Sequence, residues 1–449
     1  MTHAATLLSV LATALGGGAP RAATPAPPPI KHVFVIVLEN ESYDSSFGKD
    51  SKAPYLAQTL PSKGMLLKNY YGIGHVSLDN YVAMVSGQSP NPQTQSDCQI
   101  YTDFQPDVIG ADGQAMGSGC VYPADVKTVA DQLTAKGLTW GGYMEDMGNT
   151  PTEAQTCRHP NLNTQDTTQS ARATDQYAAR HNPFVYFHSI IDSPDCAKDD
   201  VPLTRLGPAL DSDQVPSFVF ITPSLCHDGH DTPCKNGEPG GLTSANQFLT
   251  KWVPLIVGSR AYQSGGLLIV TFDEAGPDAT ACCVQDHPNT PNAGGTQQGP
   301  GGGKVGAVLL SQFIKPGSVN NTPYNHYSLL RSVEDVFGLG QIGLAAKATG
   351  FGSDVYNDAG ACFDHPLPRT AGRSVPRGTI IASVARKGRK LTIRLAHSAT
   401  VTVAAPKRVL RRHAAACGTL RATLPKGARS VKVSASAGGK LERRTLKLH

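Results

Sequence analysis

Groups able to do chemistry collect at the ends of the most apolar runs of this 449-residue chain. HVFVIVL (32–38) is followed at once by Glu39 and Asn40. SFVFIT (217–222) runs into PSLCHDGHD, which supplies His227, Asp228, His230 and Asp231, and GLLIVTF (266–272) stops on Asp273 and Glu274. His326 stands immediately before YSLLRSVEDVFGL (327–339). Carboxylates and imidazoles in this concentration suit a divalent cation working on a phosphate group, because such donors hold the ion and the ion polarises a phosphoryl oxygen. Each has a plainer role when taken alone: Glu39 can pair with an arginine, and His326 can cap a helix. Three run ends that carry carboxylates weigh towards a shared site. A nucleophile is on hand in GIGHVSLDNYVAMVSGQ, where Ser77 follows a Gly/His-rich turn and opens a helical stretch. Backbone N–H groups at a helix start favour phosphate oxygens and help to stabilise an alkoxide. The plainer role of Ser77 is to cap that helix, and both readings are open at this point.

The elements that must position these residues are short and apolar throughout. HVFVIVL, LTWGGYM (138–144), SFVFIT, GLLIVTF and KVGAVLL (304–310) read as strands covered on both faces, since their hydrophobicity is nearly continuous rather than alternating. Helical patterns lie between them: from residue 79 (DNYVAMVSG), over 126–137, over 245–259 and over 327–339, with Asp125 and Ser244 placed to cap the second and third. Strand–helix alternation predicts an α/β fold with a central, mostly parallel sheet and helices on both faces. In such sheets ligands bind beyond the carboxyl ends of the strands, which is where the polar residues stand. After a Pro/Gly-rich stretch at 367–377 the pattern changes to period two in TIIASVA, KLTIRLA, ATVTVAA, RSVKVSAS and RRTLKL, predicting a small all-β, sandwich-like domain over 378–449.

Charge separates the same two parts. The chain carries +5 overall, yet Arg369 to His449 holds 20 Lys/Arg against one acidic residue, Glu442, or about +19, leaving the body 20 basic and 34 acidic residues, about −14. A tail of that sign suits an anionic lipid surface or a cell-wall polymer, or serves only as a soluble spacer; no nucleic-acid partner is expected. Residues 1–30 combine a short apolar stretch, small residues and a Pro/Ala linker in the manner of a secretory leader, although no Lys or Arg precedes the apolar stretch. No other segment reaches the roughly 18 apolar residues of a membrane span. Ten cysteines with no CxxC pair fit an exported, disulfide-bonded protein. Local closures Cys98–Cys120, Cys157–Cys196 and Cys226–Cys234 are expected, with Cys282 and Cys283 reaching two different partners. NNT at 320–322 is a glycosylation sequon by pattern.

The segments LENESYDSSFG, GHVSLDNYVAMVSGQ, ITPSLCHDGHD, TFDEAG and NHYSLLRSVEDVFGLG, in this order over about residues 31–365, resemble the bacterial phosphoesterase family of secreted acid phosphatases and phospholipases C, within the alkaline-phosphatase-like superfamily. The resemblance implies a catalytic domain over 31–366 with the alkaline-phosphatase-like sheet. It also implies a secreted, metal-dependent phosphoesterase acting on phosphate esters through a phosphoserine. Ser77, Asn40, His230 and His326 fall at catalytic positions, and Glu39, Ser77, Asp228, Asp273 and Glu274 at positions that hold a divalent metal ion. His181 in RHNPFVYFHSI and Glu145-Asp146 in GGYMEDM resemble family segments too. Glu145 and Asp146 read better as solvated strand-end carboxylates, and His181 is not placed in the catalytic set. Serine rather than threonine at position 77, and a compact matching block, lean towards an acid phosphatase of the phosphatidylinositol-3-phosphatase kind and away from the alternative, a phospholipase C-type diesterase. A non-enzymatic alternative is a wall- or membrane-binding protein with an inactive α/β part, against which the full set of site residues speaks.

Overall fold

All but one of the residues of β1 (His32–Leu38) are buried, and all seven of β6 (Gly266–Phe272), so the sheet they centre is covered on both faces. A computed structural model describes residues 27–212, 214–284, 286–357 and, beyond residue 380, 381–387, 389–395, 399–405, 408–414, 419–425, 430–437 and 440–447. Most of the expected leader, the linker at 367–377, Cys362 and Cys417 lie outside the described residues.

The remaining strands of the sheet are β2 (Met65–Leu67), β3 (Trp140–Met144), β4 (Asp200–Pro202), β5 (Phe218–Thr222), β7 (Ala307–Ser311) and β8 (Ser318–Asn320). Their order is β8–β2–β7–β6–β1–β5–β3–β4, and only β7 runs against the rest. The five strands expected from apolar runs are all present. The three added ones, β2, β4 and β8, have three residues each, too few to show a periodicity.

The helices that bear on the site are α1 (Ser77–Ser86), α2 (Val129–Ala135), α3 (Gly241–Gly258) and α4 (His326–Phe337). Two expected caps are corrected. Thr128, not Asp125, caps α2, because its hydroxyl accepts from Asp131 N while Asp131 reaches back to the Thr128 backbone, a reciprocal pair worth about 1 kcal/mol. Helix α3 begins at Gly241, ahead of Ser244, whose hydroxyl instead accepts from Gly240 N. Among the described residues no helix is long and apolar enough to cross a membrane.

The C-terminal region holds seven strands where five were expected: β9 (Ile381–Lys387), β10 (Lys390–Leu395), β11 (Ala399–Ala405), β12 (Arg408–Ala414), β13 (Thr419–Thr423), β14 (Ser430–Ala437) and β15 (Lys440–Lys447). They form a three-stranded sheet β9–β10–β13 and a four-stranded sheet β12–β11–β14–β15, antiparallel throughout, around a core of their own that includes Leu391, Ile393, Val401, Val403, Val431 and Val433. Of the two overlooked strands, β12 carries three arginines in seven residues, which masked its alternation, and β13 has only five residues.

The three local disulfides form as expected, Cys98–Cys120, Cys157–Cys196 and Cys226–Cys234. Cys282 and Cys283 do not reach separate partners: they bond to each other, the other six described cysteines being already paired. The sequon is also corrected. Asn320 is buried, with Nδ2 donating to Asp354 Oδ2 (2.7 Å) and Oδ1 accepting from Thr322 N, so its side chain is committed to the fold.

Candidate active site

Parallel pairing of β1 with β6 sets Leu38 opposite Phe272, so the next residues along, Glu39 and Asp273, are delivered side by side at the carboxyl ends. Main-chain bonds lock the junction: Asp273 N donates to Leu38 O, and Glu39 N donates to Asp228 O, both 2.8 Å. The chain then turns at Asn40, which takes φ 57°, a left-handed conformation that asparagine tolerates better than most residues. That turn aims Asn40 N at Asp273 Oδ1 (3.0 Å) and Asn40 Nδ2 at Glu39 Oε2 (3.2 Å).

Ser77 is the first residue of α1, but it does not cap the helix. Val76 holds the cap position with extended backbone, and the Ser77 hydroxyl donates to Glu39 Oε2 at 2.7 Å. The N–H of Leu78 in the same first turn is taken by Asp97 Oδ1 (3.0 Å). The loop before Ser77 hangs on Asn80, one helical turn further on, whose Oδ1 accepts from Ile73 N and Gly74 N while Nδ2 donates to Gly74 O.

The acidic residues around Ser77 are almost wholly inaccessible to solvent. Glu39, Asp228, Asp273 and Glu274 are all buried, and burial pushes each carboxyl well above its ordinary range; neighbouring carboxylates push in the same direction. Glu39 Oε1, Asp228 Oδ2 and Asp273 Oδ2 have no hydrogen-bond partner. Between them lies His181, equally buried, with Nε2 3.4 Å from Glu39 Oε2 and Nδ1 3.5 Å from Asp228 Oδ2, neither aligned as a hydrogen bond. Tyr81 of α1 stacks on its ring, 5.2 Å between centroids. Orphaned carboxylate oxygens and imidazole nitrogens at one place are a donor set that fits a divalent cation, since a positive charge would satisfy atoms that otherwise carry a large burial penalty.

Three expected roles are corrected by these contacts. Glu274 turns away to the Ser77 loop, with Oε1 3.3 Å from His75 Nδ1 and Oε2 accepting from Asn80 Nδ2 (3.4 Å). His326 is fully buried with both ring nitrogens engaged, Nε2 at 2.6 Å from the Asp273 carbonyl and Nδ1 at 3.1 Å from Tyr70 Oη, and burial pushes its pKa down to about 4. Its ring is committed to the Asp273 carbonyl and to Tyr70, contacts that hold Asp273 in place. His227 is drawn off between Glu145 Oε2 (2.9 Å) and Glu238 Oε2 (3.0 Å), which overcome burial and push it up to about 9. Cys226 lies beside His227 and Glu238, but its sulfur is bonded to Cys234 and is no thiolate ligand.

The other residues singled out from the sequence lie on the loops that follow β5 and β3. Asp228 Oδ1 accepts from His230 N (2.9 Å). The His230 ring is half exposed at the rim, where its hydrogen bond to Asp231 Oδ1 (2.9 Å) pushes it up to about 9. Glu145 and Asp146 are not solvated strand-end charges, since Glu145 also accepts from Ser224 N and Asp146 from Gln176 N and Asn149 Nδ2. Sequence reasoning missed the placement of His181, His75 and Asn80. The i, i+3 spacing of Ser77 and Asn80 was a usable signal; His181 was marked only by the resemblance of its segment to the family and was left out of the catalytic set.

The profile of the phosphoesterase family matches residues 49–340. An acid phosphatase from Aspergillus fumigatus is 25% identical over 313 residues, covering 69% of this chain and 55% of that protein, so the chain spans about half the length of that relative. A phosphatidylinositol-3-phosphatase from Mycobacterium tuberculosis is 23% identical over 336 residues, covering 75% of this chain and 86% of that one. A crystal structure of a protein in the alkaline phosphatase superfamily from Vibrio parahaemolyticus aligns at a TM-score of 0.42 and 11% identity, covering 95% of this chain and 85% of that one.

Proposed function

This chain belongs to the phosphoesterase family, and from that premise we propose that it is a secreted, metal-dependent phosphatase that hydrolyses phosphate monoesters through a phosphoserine at Ser77. The contact that carries the reading is the 2.7 Å hydrogen bond from Ser77 Oγ to Glu39 Oε2, at the mouth of a buried acidic cluster with unsatisfied oxygens. The acid phosphatase and phosphatidylinositol-3-phosphatase among its relatives support the monoester, and the four disulfides support an oxidising, extracellular setting. The proposed catalytic domain runs over 31–366.

Glu39, Asp228 and Asp273 are the residues that would hold the divalent ion, with the Ser77 hydroxyl beside them. When bound, such an ion supplies positive charge that lowers the pKa of the serine hydroxyl and offsets charge on the phosphoryl oxygens. Glu39 Oε2 already accepts the Ser77 hydrogen, so it takes the proton as Oγ attacks phosphorus in line. In this reading Asn40 Nδ2, which donates one hydrogen to Glu39 Oε2, gives its other hydrogen to a phosphoryl oxygen. As the bond from phosphorus to the ester oxygen breaks, the leaving alcohol takes a proton from His230, the charged imidazole at the rim. Water then attacks the phosphoserine and passes its proton to the now neutral His230. Phosphate leaves, and Ser77 recovers its proton from Glu39. Glu274 and His326 act as positioning residues, the first on the Ser77 loop and the second on Asp273.

Ser77→Ala is expected to abolish turnover of a chromogenic phosphate monoester while leaving thermal unfolding and metal content unchanged; near-normal turnover would overturn the nucleophile assignment. The same assay with a phosphorylcholine diester tests the substrate class, since faster cleavage of the diester moves the reading to a phospholipase C-type enzyme.

A further inference from the structure

The four-stranded C-terminal sheet has one face on the core and one turned outward. Val401, Val403, Val431 and Val433 occupy the inner face, and Glu442, the single acidic residue after Arg369, binds Arg444 and Ile381 N on that side. Alternation therefore directs Arg411, Lys432 and Arg443 outward. The register lines Arg411, Thr402, Ser434 and Arg443 across the four strands, with Val409, Ala404, Lys432 and Thr445 in the neighbouring row and Leu441 opposite Ser436 on the other side. Two cations flank a centre of small hydroxyl residues, and a third stands one row away. All three are exposed, and none has an acidic partner among the described residues. Val409 and Leu441 share this face at 68% and 50% exposure, Val409 being the most exposed large hydrophobic residue among those described.

We propose that this outer face docks on an anionic phospholipid bilayer, its three cations meeting lipid phosphates while Val409 and Leu441 enter the boundary between headgroups and acyl chains. Charge complementarity favours an anionic surface, and the exposed apolar pair selects a bilayer over a soluble polyanion, which offers those side chains nothing. Residues 381–449 contain no Trp, Tyr or Phe, the side chains on which nucleic-acid bases stack most strongly.

The test is co-sedimentation of the full chain with vesicles of phosphatidylcholine containing phosphatidylserine, against phosphatidylcholine alone. Binding is expected only to the anionic vesicles and is expected to weaken as salt rises. The combined variant Arg411→Glu, Lys432→Glu, Arg443→Glu is expected to lower the affinity on the order of a hundredfold. Val409→Ser with Leu441→Ser is expected to lower it several-fold while leaving the salt dependence in place. Arg411→Lys with Arg443→Lys keeps the charge and is expected to bind as before, which guards against a folding defect in the Glu variant. Undiminished binding by either the Glu or the Ser variant overturns the proposal. So does equal affinity for inorganic polyphosphate with no effect of the Ser variant, which would make the face a general polyanion binder. Sedimentation requires no turnover, so the result stands apart from the Ser77 assignment.

Discussion

His181 is the residue whose place in the site most changes its reading. It is buried between Glu39 and Asp228, two carboxylates whose free oxygens fit a cation, and its own ring nitrogens have no hydrogen bond. Burial pushes its pKa well below the usual imidazole range, which keeps the ring neutral and its lone pair available as a ligand. His181→Ala is therefore expected to weaken metal retention about 10- to 100-fold, measured as bound metal after dialysis. Retention at the level of the unaltered protein, with activity lost, would place His181 on the substrate instead. Glu39, Asn40 and Asp273 could be read from the sequence because a strand's direction fixes where its last side chains arrive. His181 could not, since it sits in a single 3-10 turn, Ala179–His181, that no strand or helix pattern announces. His326 was legible as a position but not as an orientation. Only the fold shows that its Nε2 faces the Asp273 carbonyl and not the Ser77 side.

At the scale of elements, the site depends on how α1 is joined to the sheet. One side chain, Asn80, holds the backbone of the loop that leads to Ser77, accepting from two buried N–H groups and donating to one carbonyl. Asn80→Ala leaves Ile73 N and Gly74 N without that acceptor, so a loss of about 2 kcal/mol is expected in denaturant unfolding. Turnover is expected to fall with it, since the loop sets where Ser77 meets Glu39. Full activity in this variant would show that the loop is held by Glu274 and His75 without it. The pattern of elements was readable because β1, β5 and β6 are apolar over their whole length, as a doubly covered sheet requires. The T-x-x-D capping box at Thr128 was also in plain sight, yet Asp125 was chosen as the cap, and the structure shows Asp131 reaching back to the Thr128 backbone. Strand β12 was overlooked because three arginines among its seven residues interrupt the apolar pattern, and β13 because five residues show too little of one; the opposing strands complete both only in three dimensions.

Across the whole molecule, acids buried away from Ser77 tie stability to pH. Asp200, at the start of β4, is fully buried with Asn182 Nδ2 donating to its Oδ2 (2.8 Å), and burial pushes its carboxyl up to about 7. Glu334 of α4 accepts from Ile342 N (2.9 Å) and is pushed up to about 8, again by burial. An acid with a higher pKa in the folded state than in the unfolded one binds more protons when folded. Its contribution is complete below the unfolded pKa near 4, shrinks as pH rises, and is gone above the folded value. Stability is therefore expected to fall from about pH 4 to about pH 8 on account of these two groups, with Asp200 acting in the lower part of that window and contributing about 4 kcal/mol across it. Glu39, Asp228 and Asp273 shift in the same direction and are the proposed cation ligands, so the comparison must cancel them. Asp200→Asn does so, because the amide has nearly the same shape and does not titrate. The variant is expected to show a shallower fall in Tm with rising pH than the unaltered protein, at one fixed metal concentration. An identical pH slope in the two proteins would mean that Asp200 is already ionised in the folded state.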